Sequence, residues 1–166
     1  MIQSEEGVRS IPAEDRVGKT IERPSWDEYF LEIAKLVSTR ATCPRMKVGS
    51  VLVKDKRIIS TGYNGAPKGL PTCLQVGCKM IDGHCQRVLH SESNAIIQCS
   101  YLGTSSQGST LYTIFTPCQK CAKEIINAGV VRVVVPKIQG TLSKSDHGKD
   151  FTLEMFTLAN VKLDYI

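Results

Sequence analysis

The chain has 166 residues, of which 42% are apolar and 22% charged. That balance suits one globular domain around one core and excludes disordered or fibrous classes. No run approaches the ~20 apolar residues of a membrane span, and the opening MIQSEEGVRS lacks the apolar segment of a secretory signal. A cytoplasmic, non-membrane protein is therefore expected. The formal net charge of +5 fits either a phosphate-bearing partner or a mixed solvated surface. Seven cysteines are many for a reducing compartment, and the odd count argues for metal rather than a closed disulfide framework.

Residues 1–24 are polar, mixed in charge and without apolar period, which predicts an arm preceding one domain over 25–166. Ser25 is a good N-cap for a helix running to about Arg40. Its apolar positions are Trp26, Tyr29, Phe30, Ile33, Ala34, Leu36 and Val37, and we expect the aromatics among them to be core rather than a stacking platform. Residues 48–53 and 57–61 read as strands of a hairpin turned by Lys54-Asp55-Lys56. Gly62-Tyr63-Asn64-Gly65-Ala66-Pro67 breaks regular structure, and a long loop over 66–89 needs a staple. Helices are expected over 91–101, 118–128 and 150–159. Strands are expected over 110–115, 130–135 and 161–166. Strands alternating with helices indicate an α/β layered domain.

Two segments carry chemistry: His90-Ser91-Glu92 and Pro117-Cys118-Gln119-Lys120-Cys121. Cys118 and Cys121 lie one helical turn apart, so both sulfurs can face one ion. At a helix N-terminus the dipole favours their thiolates. His90 adds an imidazole from the start of another helix. Three protein ligands leave the fourth tetrahedral position to water, as in catalytic rather than structural zinc sites. Glu92 is placed to carry protons between that water, a ring nitrogen and a leaving amine. Each segment alone is weak, since CxxC also marks redox pairs and structural zinc; together they match the H-x-E…P-C-x-x-C signature of zinc nucleobase deaminases.

SWDEYF, TCPRMKVGSVLVKDKRIISTGYNGAPKG, GHCQRVLHSESNAI and FTPCQKCAKEIINAGV carry a more specific likeness. Over residues 25–135 the chain resembles the deoxycytidylate (dCMP) deaminase family. The resemblance implies a three-layer αβα sandwich around a five-stranded mixed sheet, of the cytidine deaminase-like kind. It implies dCMP as substrate, dUMP and ammonia as products, a homo-oligomer (commonly a hexamer), and control by dCTP and dTTP. It assigns His90, Cys118 and Cys121 to zinc, Glu92 to the proton shuttle, Asn64 to the sugar, and the backbone around Ser91 and Thr116 to the base edge. The family's usual HAE is HSE here, a small change from which little effect is expected. After Val135, Pro136 and Lys137 stand where the family often has an aromatic residue.

Some members hold a second, structural zinc. Here Cys43, Cys73, Cys78 and Cys85 are the expected ligands, with His84 as substitute for Cys85; the plain alternative is small buried residues. Cys99 reads as core and His147 as solvated. Arg45, Lys47 and Arg87 flank the motifs and are candidates for the substrate phosphate, or for surface solvation alone. The competing readings are a dCTP or dual-specificity deaminase, a deaminase of bases in tRNA or single-stranded DNA, and a non-catalytic zinc scaffold. No aromatic-plus-arginine track suits a strand, so nucleic acid is not the expected partner. Glu92 has no use in a scaffold.

Overall fold

The computed structural model describes residues 22–137 and 149–166. The arm expected over 1–24, apart from its last three residues, and His147 lie outside them. The first element among the described residues is helix α1, Trp26–Ser38. Its start is fixed by a capping box: the Ser25 hydroxyl accepts from Glu28 N–H at 3.2 Å, and Ser25 N–H donates to the Glu28 carboxylate at 2.7 Å. Phe30, Leu31 and Ala34 form its buried stripe, but Trp26 and Tyr29 remain nearly half exposed. Only Phe30 of the three aromatics is core, because the sheet beneath is reached by one helical face alone.

Strands β1 (Gly49–Lys54) and β2 (Arg57–Tyr63) make the expected antiparallel hairpin. Residues 66–89 are not one plain loop: they hold the single-turn helix α2 (Cys73–Val76) and a small ribbon of β3 (Met80–Ile81) and β4 (His84–Cys85). Paired hydrogen bonds between Gly65 and Leu89 close the neck of this excursion. There follow α3 (Ser91–Tyr101), β5 (Thr110–Thr113), α4 (Gln119–Asn127), β6 (Arg132–Val135), α5 (Lys149–Leu158) and β7 (Lys162–Tyr165).

The main sheet has the order β2-β1-β5-β6-β7. β1 runs antiparallel to both neighbours, and β5, β6 and β7 run parallel, so the five-stranded sheet is mixed. α1 covers one face over Val51, Val53, Tyr112 and Val134. α3, α4 and α5 cover the other, where Ala95, Cys99, Ala122, Ile125 and Phe156 meet Leu52, Leu111, Val133 and Val135. This is the three-layer αβα sandwich. Val133–Val135 are buried from both sides, as a continuous β-branched run requires. Cys99 is core, as expected.

Candidate active site

The two chemical segments meet where α3 and α4 begin. His90 is the N-cap residue of α3, and its side chain makes no capping bond. Cys118 likewise caps α4 through its backbone only, so its sulfur is free to face inward. The approach of α3 to the sheet depends on Gly62: a Cβ there would collide with the Ser91 carbonyl and Ala95 N–H. His90 Nδ1 lies 3.5 Å from Cys118 Sγ and 3.4 Å from Cys121 Sγ. Ligands bound tetrahedrally at ~2.0–2.1 Å (N) and ~2.3 Å (S) from one zinc ion would be ~3.6 Å apart. One imidazole and two thiols at this spacing fit zinc in both donor chemistry and size. His90 and Cys118 are exposed while Cys121 is fully buried, so the cluster is closed behind and open in front.

Glu92 sits in the first turn of α3, and only 5% of it is exposed. Its carboxylate accepts a hydrogen bond from Ser91 Oγ at 2.9 Å. Ser91 Oγ lies 2.7 Å from Ser50 Oγ on β1, and Ser50 Oγ is in turn a donor 3.0 Å from Thr113 Oγ1 on β5. Ser50 and Thr113 are a cross-strand pair, so both hydroxyls stand on the same face of the sheet. All three hydroxyls are fully buried. Each has one proton. With Ser50 donating to Thr113, the one proton between Ser91 and Ser50 comes from Ser91 and the line starts at a protonated Glu92 carboxyl; with Ser91 donating to an ionised Glu92, Ser50 donates to Ser91 and no longer to Thr113.

A second hydroxyl backs the His90–Cys118–Cys121 cluster. Ser93 Oγ makes a short hydrogen bond to the Glu124 carboxylate and lies 3.7 Å from Cys121 Sγ. The electrostatics follow from burial and these partners. Burial pushes the Glu92 carboxyl above its usual range. The hydrogen bond to Cys118 raises His90. Cys118 is pulled well below an ordinary thiol by the bond from Cys121 and by His90.

Three thiols gather in the excursion between Gly65 and Leu89. The sulfurs of Cys73, Cys78 and Cys85 lie within 4.8 Å of one another, with Cys73 and Cys85 3.6 Å apart. Burial and the neighbouring sulfurs push Cys73 up to about 12. Burial also works to raise Cys85, but backbone N–H bonds from Arg87 and Lys79 and the Cys73 thiol outweigh it and bring Cys85 down. Cys43 is buried, and its sulfur stands outside the tight trio. His84 is exposed and also outside it.

The remaining candidates divide. Arg45 directs its guanidinium at the Met80 sulfur and the Gly83 carbonyl, 3.1 and 3.4 Å away, and Arg87 donates to the Gly77 carbonyl at 3.1 Å. Both arginines brace the cysteine excursion. Lys47 is exposed. Asn64 is buried, accepting from Val48 N–H and donating to the Met46 carbonyl, each at 2.8 Å. It shapes the 46–48 segment, leaving one amide hydrogen for another partner. Thr116 is joined by a residue that sequence reasoning missed: Tyr165 Oη lies 3.3 Å from Thr116 Oγ1. Tyr165 pairs with Val135, so β7 delivers an aromatic ring beside the end of β6, after which this chain has Pro136 and Lys137. Ser50, Thr113, Ser93 and Glu124 were missed too, since no motif links residues so far apart in the chain.

The model of the cytidine and deoxycytidylate deaminase zinc-binding region matches residues 24–137. The chain belongs to this family. Within it, the ComE operon protein 2 of Bacillus subtilis is 47% identical over 113 residues, covering 68% of this chain and 60% of that protein. The deoxycytidylate deaminase of Mycobacterium phage D29 is 41% identical over 127 residues, covering 69% of this chain and 97% of the phage protein. The yeast deoxycytidylate deaminase is 39% identical, with only 38% of its length covered. The chain thus spans well under two thirds of some of its curated relatives and nearly all of others. Among solved structures, the dCMP deaminase of cyanophage S-TIM5 in complex with dCMP and dUMP superposes with a TM-score of 0.70 at 30% identity, covering 87% of this chain and 99% of that one. The mixed five-stranded sheet described above is the fold shared with this deaminase.

Proposed function

We propose that the protein is a zinc-dependent dCMP deaminase that hydrolyses dCMP to dUMP and ammonia. The observation that carries this reading is a buried carboxylate, Glu92, two residues from a His90–Cys118–Cys121 cluster sized for zinc and open on one side. The likeness to a phage dCMP deaminase over nearly its whole length supports the choice of nucleotide. When bound at the cluster, zinc supplies the acidity that makes water a nucleophile near neutral pH. His90, Cys118 and Cys121 hold the metal. Glu92 takes one proton from the attacking water and passes it to ring N3, then takes the second from the hydroxyl now on the ring carbon and passes it to the departing amine. Water adds to the amino-bearing ring carbon, the C–N bond breaks, and ammonia leaves with the base converted to its keto form. The depth of Glu92 keeps bulk solvent away from that proton traffic. Its raised pKa suits a group that both takes and gives protons.

The same reading includes a second, structural zinc held by Cys73, Cys78 and Cys85, with Cys43 completing four sulfurs. It also includes a cytoplasmic homo-oligomer, a hexamer, regulated by dCTP and dTTP. Among the described residues no helix is long and apolar enough to cross a membrane. Phosphate recognition is assigned to Lys47 first, because Arg45 and Arg87 are already engaged with backbone.

The test is kcat/KM measured side by side on deoxycytidine, dCMP, dCTP and a cytosine-containing single-stranded oligonucleotide at fixed salt. dCMP should lead, and deoxycytidine should be poorer by about tenfold or more, the worth of one charge-assisted bond. Equal rates on deoxycytidine and dCMP would remove the nucleotide claim. A lead for dCTP would move the assignment to a dCTP deaminase, and a lead for the oligonucleotide to nucleic-acid editing.

A further inference from the structure

We infer that Ser91 is a positioning residue for Glu92: its hydroxyl, anchored from behind by Ser50 and Thr113, holds the carboxylate in the orientation that serves the His90–Cys118–Cys121 cluster. The inference rests on the reading of Glu92 as the proton carrier.

Four buried groups form one line from the sheet to the mouth of α3. Thr113 and Ser50 are fixed by strand pairing, Ser91 by the first turn of α3, and Glu92 is the only member with several free torsions. A glutamate side chain has three rotatable bonds, and a small displacement of a proton carrier is costly in rate. The 2.9 Å bond from Ser91 removes that freedom at one carboxylate oxygen. The Ser91 hydroxyl is itself held at 2.7 Å by Ser50, which belongs to a different element. The carboxylate is therefore referenced to the sheet, not merely to its own helix. An alanine at position 91 would leave a buried carboxylate oxygen short of a donor and Ser50 short of a partner, both in a space closed to water. The change from alanine to serine in this motif, from which the sequence alone predicts little, thus creates a contact on the central side chain of the reaction.

A serine that only filled space would behave differently, and four measurements separate the two roles. Ser91→Ala, Ser50→Ala and the double variant are compared with wild type for zinc per chain, melting temperature, and kcat and KM on dCMP. Ser91→Ala is expected to keep its zinc and fold, with KM within about twofold and kcat lower by about tenfold, the usual cost of losing a supporting hydrogen bond at a metal-site residue. Ser50→Ala, which acts through Ser91, should give a smaller loss in kcat. The double variant should be no worse than Ser91→Ala alone, since both remove one linkage. A kcat for Ser91→Ala within twofold of wild type, or losses that simply add, would overturn the inference. Wild type inactive on dCMP would instead overturn the functional reading. The inference then stands or falls on crystal structures of the zinc-loaded proteins. The Glu92 carboxylate should occupy one conformer in wild type and spread over several in Ser91→Ala. The same single conformer in both would sink it.

Discussion

Glu92 is a charge that the fold buries, and its burial sets up a two-sided expectation for one substitution. Glu92→Gln keeps the shape and removes the ionisable group. The variant should retain zinc, because His90, Cys118 and Cys121 are untouched. Its melting temperature should be equal to or above wild type, because an amide costs less to bury than a carboxylate. Turnover on dCMP should fall by at least ~10²-fold, within the 10²–10⁴ range of a general acid–base group. Activity above half of wild type would remove Glu92 from the mechanism. At this scale the sequence was informative wherever spacing and chemistry coincide: His90, Glu92, Cys118 and Cys121 meet as their motif demands. It was uninformative for Arg45, Arg87 and Asn64. Their types suited a phosphate or a sugar, but the structure shows the arginines on loop carbonyls and the Asn64 amide on its own segment. A side chain with several donors has many possible partners, and only coordinates choose among them.

The cysteine excursion from residue 66 to 88 is the element least able to hold itself together. Leu70, Leu74, Val76, Met80 and Ile81 are all exposed, so little apolar burial orders it. Its neck is pinned at Gly65 and Leu89, directly before His90 of the candidate zinc cluster. What remains is the cluster of thiols and the two arginines that brace it. Elemental analysis of the pure protein should therefore give close to two zinc per chain. Cys73→Ser should lose one zinc and several degrees of melting temperature, at ~2–4 °C per kcal/mol for a domain of this size. Cys118→Ser should lose the other zinc and all activity. A wild-type value near one zinc would end the case for the second site. The main sheet was legible because its strands alternate with helices and its β-branched run is continuous. The short α2 and the β3–β4 ribbon were not, because two-residue strands and a single helical turn have no period to detect.

Across the whole molecule, one network ties the N-terminal helix to the far edge of the sheet. Arg132 on β6 holds Asp27 of α1 through two bonds of 2.8 and 2.7 Å and donates a third, 2.7 Å long, to Asp164 of β7. Tyr112 on β5 donates to Asp27 at 2.7 Å, and Lys162 on β7 reaches Asp164 at 2.9 Å. The bond from Arg132, aided by Tyr112, holds the Asp27 carboxyl below its ordinary value of 3.8. Lys162, with Arg132, does the same for Asp164. A folded pKa below the unfolded one gives stability that is present above the unfolded value and lost as pH falls through the folded one. Asp27→Asn should lower the melting temperature at neutral pH by the equivalent of ~1–3 kcal/mol and make it less steep between ~pH 5 and pH 2. An unchanged acid limb in a calorimetric pH series would show that the network contributes nothing. None of this was legible in the sequence, where Asp27 and Arg132 stand 105 positions apart and neither belongs to a motif. The same separation bears on how the protein is made. Asp27 leaves the ribosome 137 positions ahead of Asp164 (164 − 27), which is about 7–27 s of synthesis at ~5–20 residues per second. Through that interval α1 lacks the Asp164 end of this network, while the partners of its apolar stripe, Val51, Val53, Tyr112 and Val134, all leave the ribosome before β7.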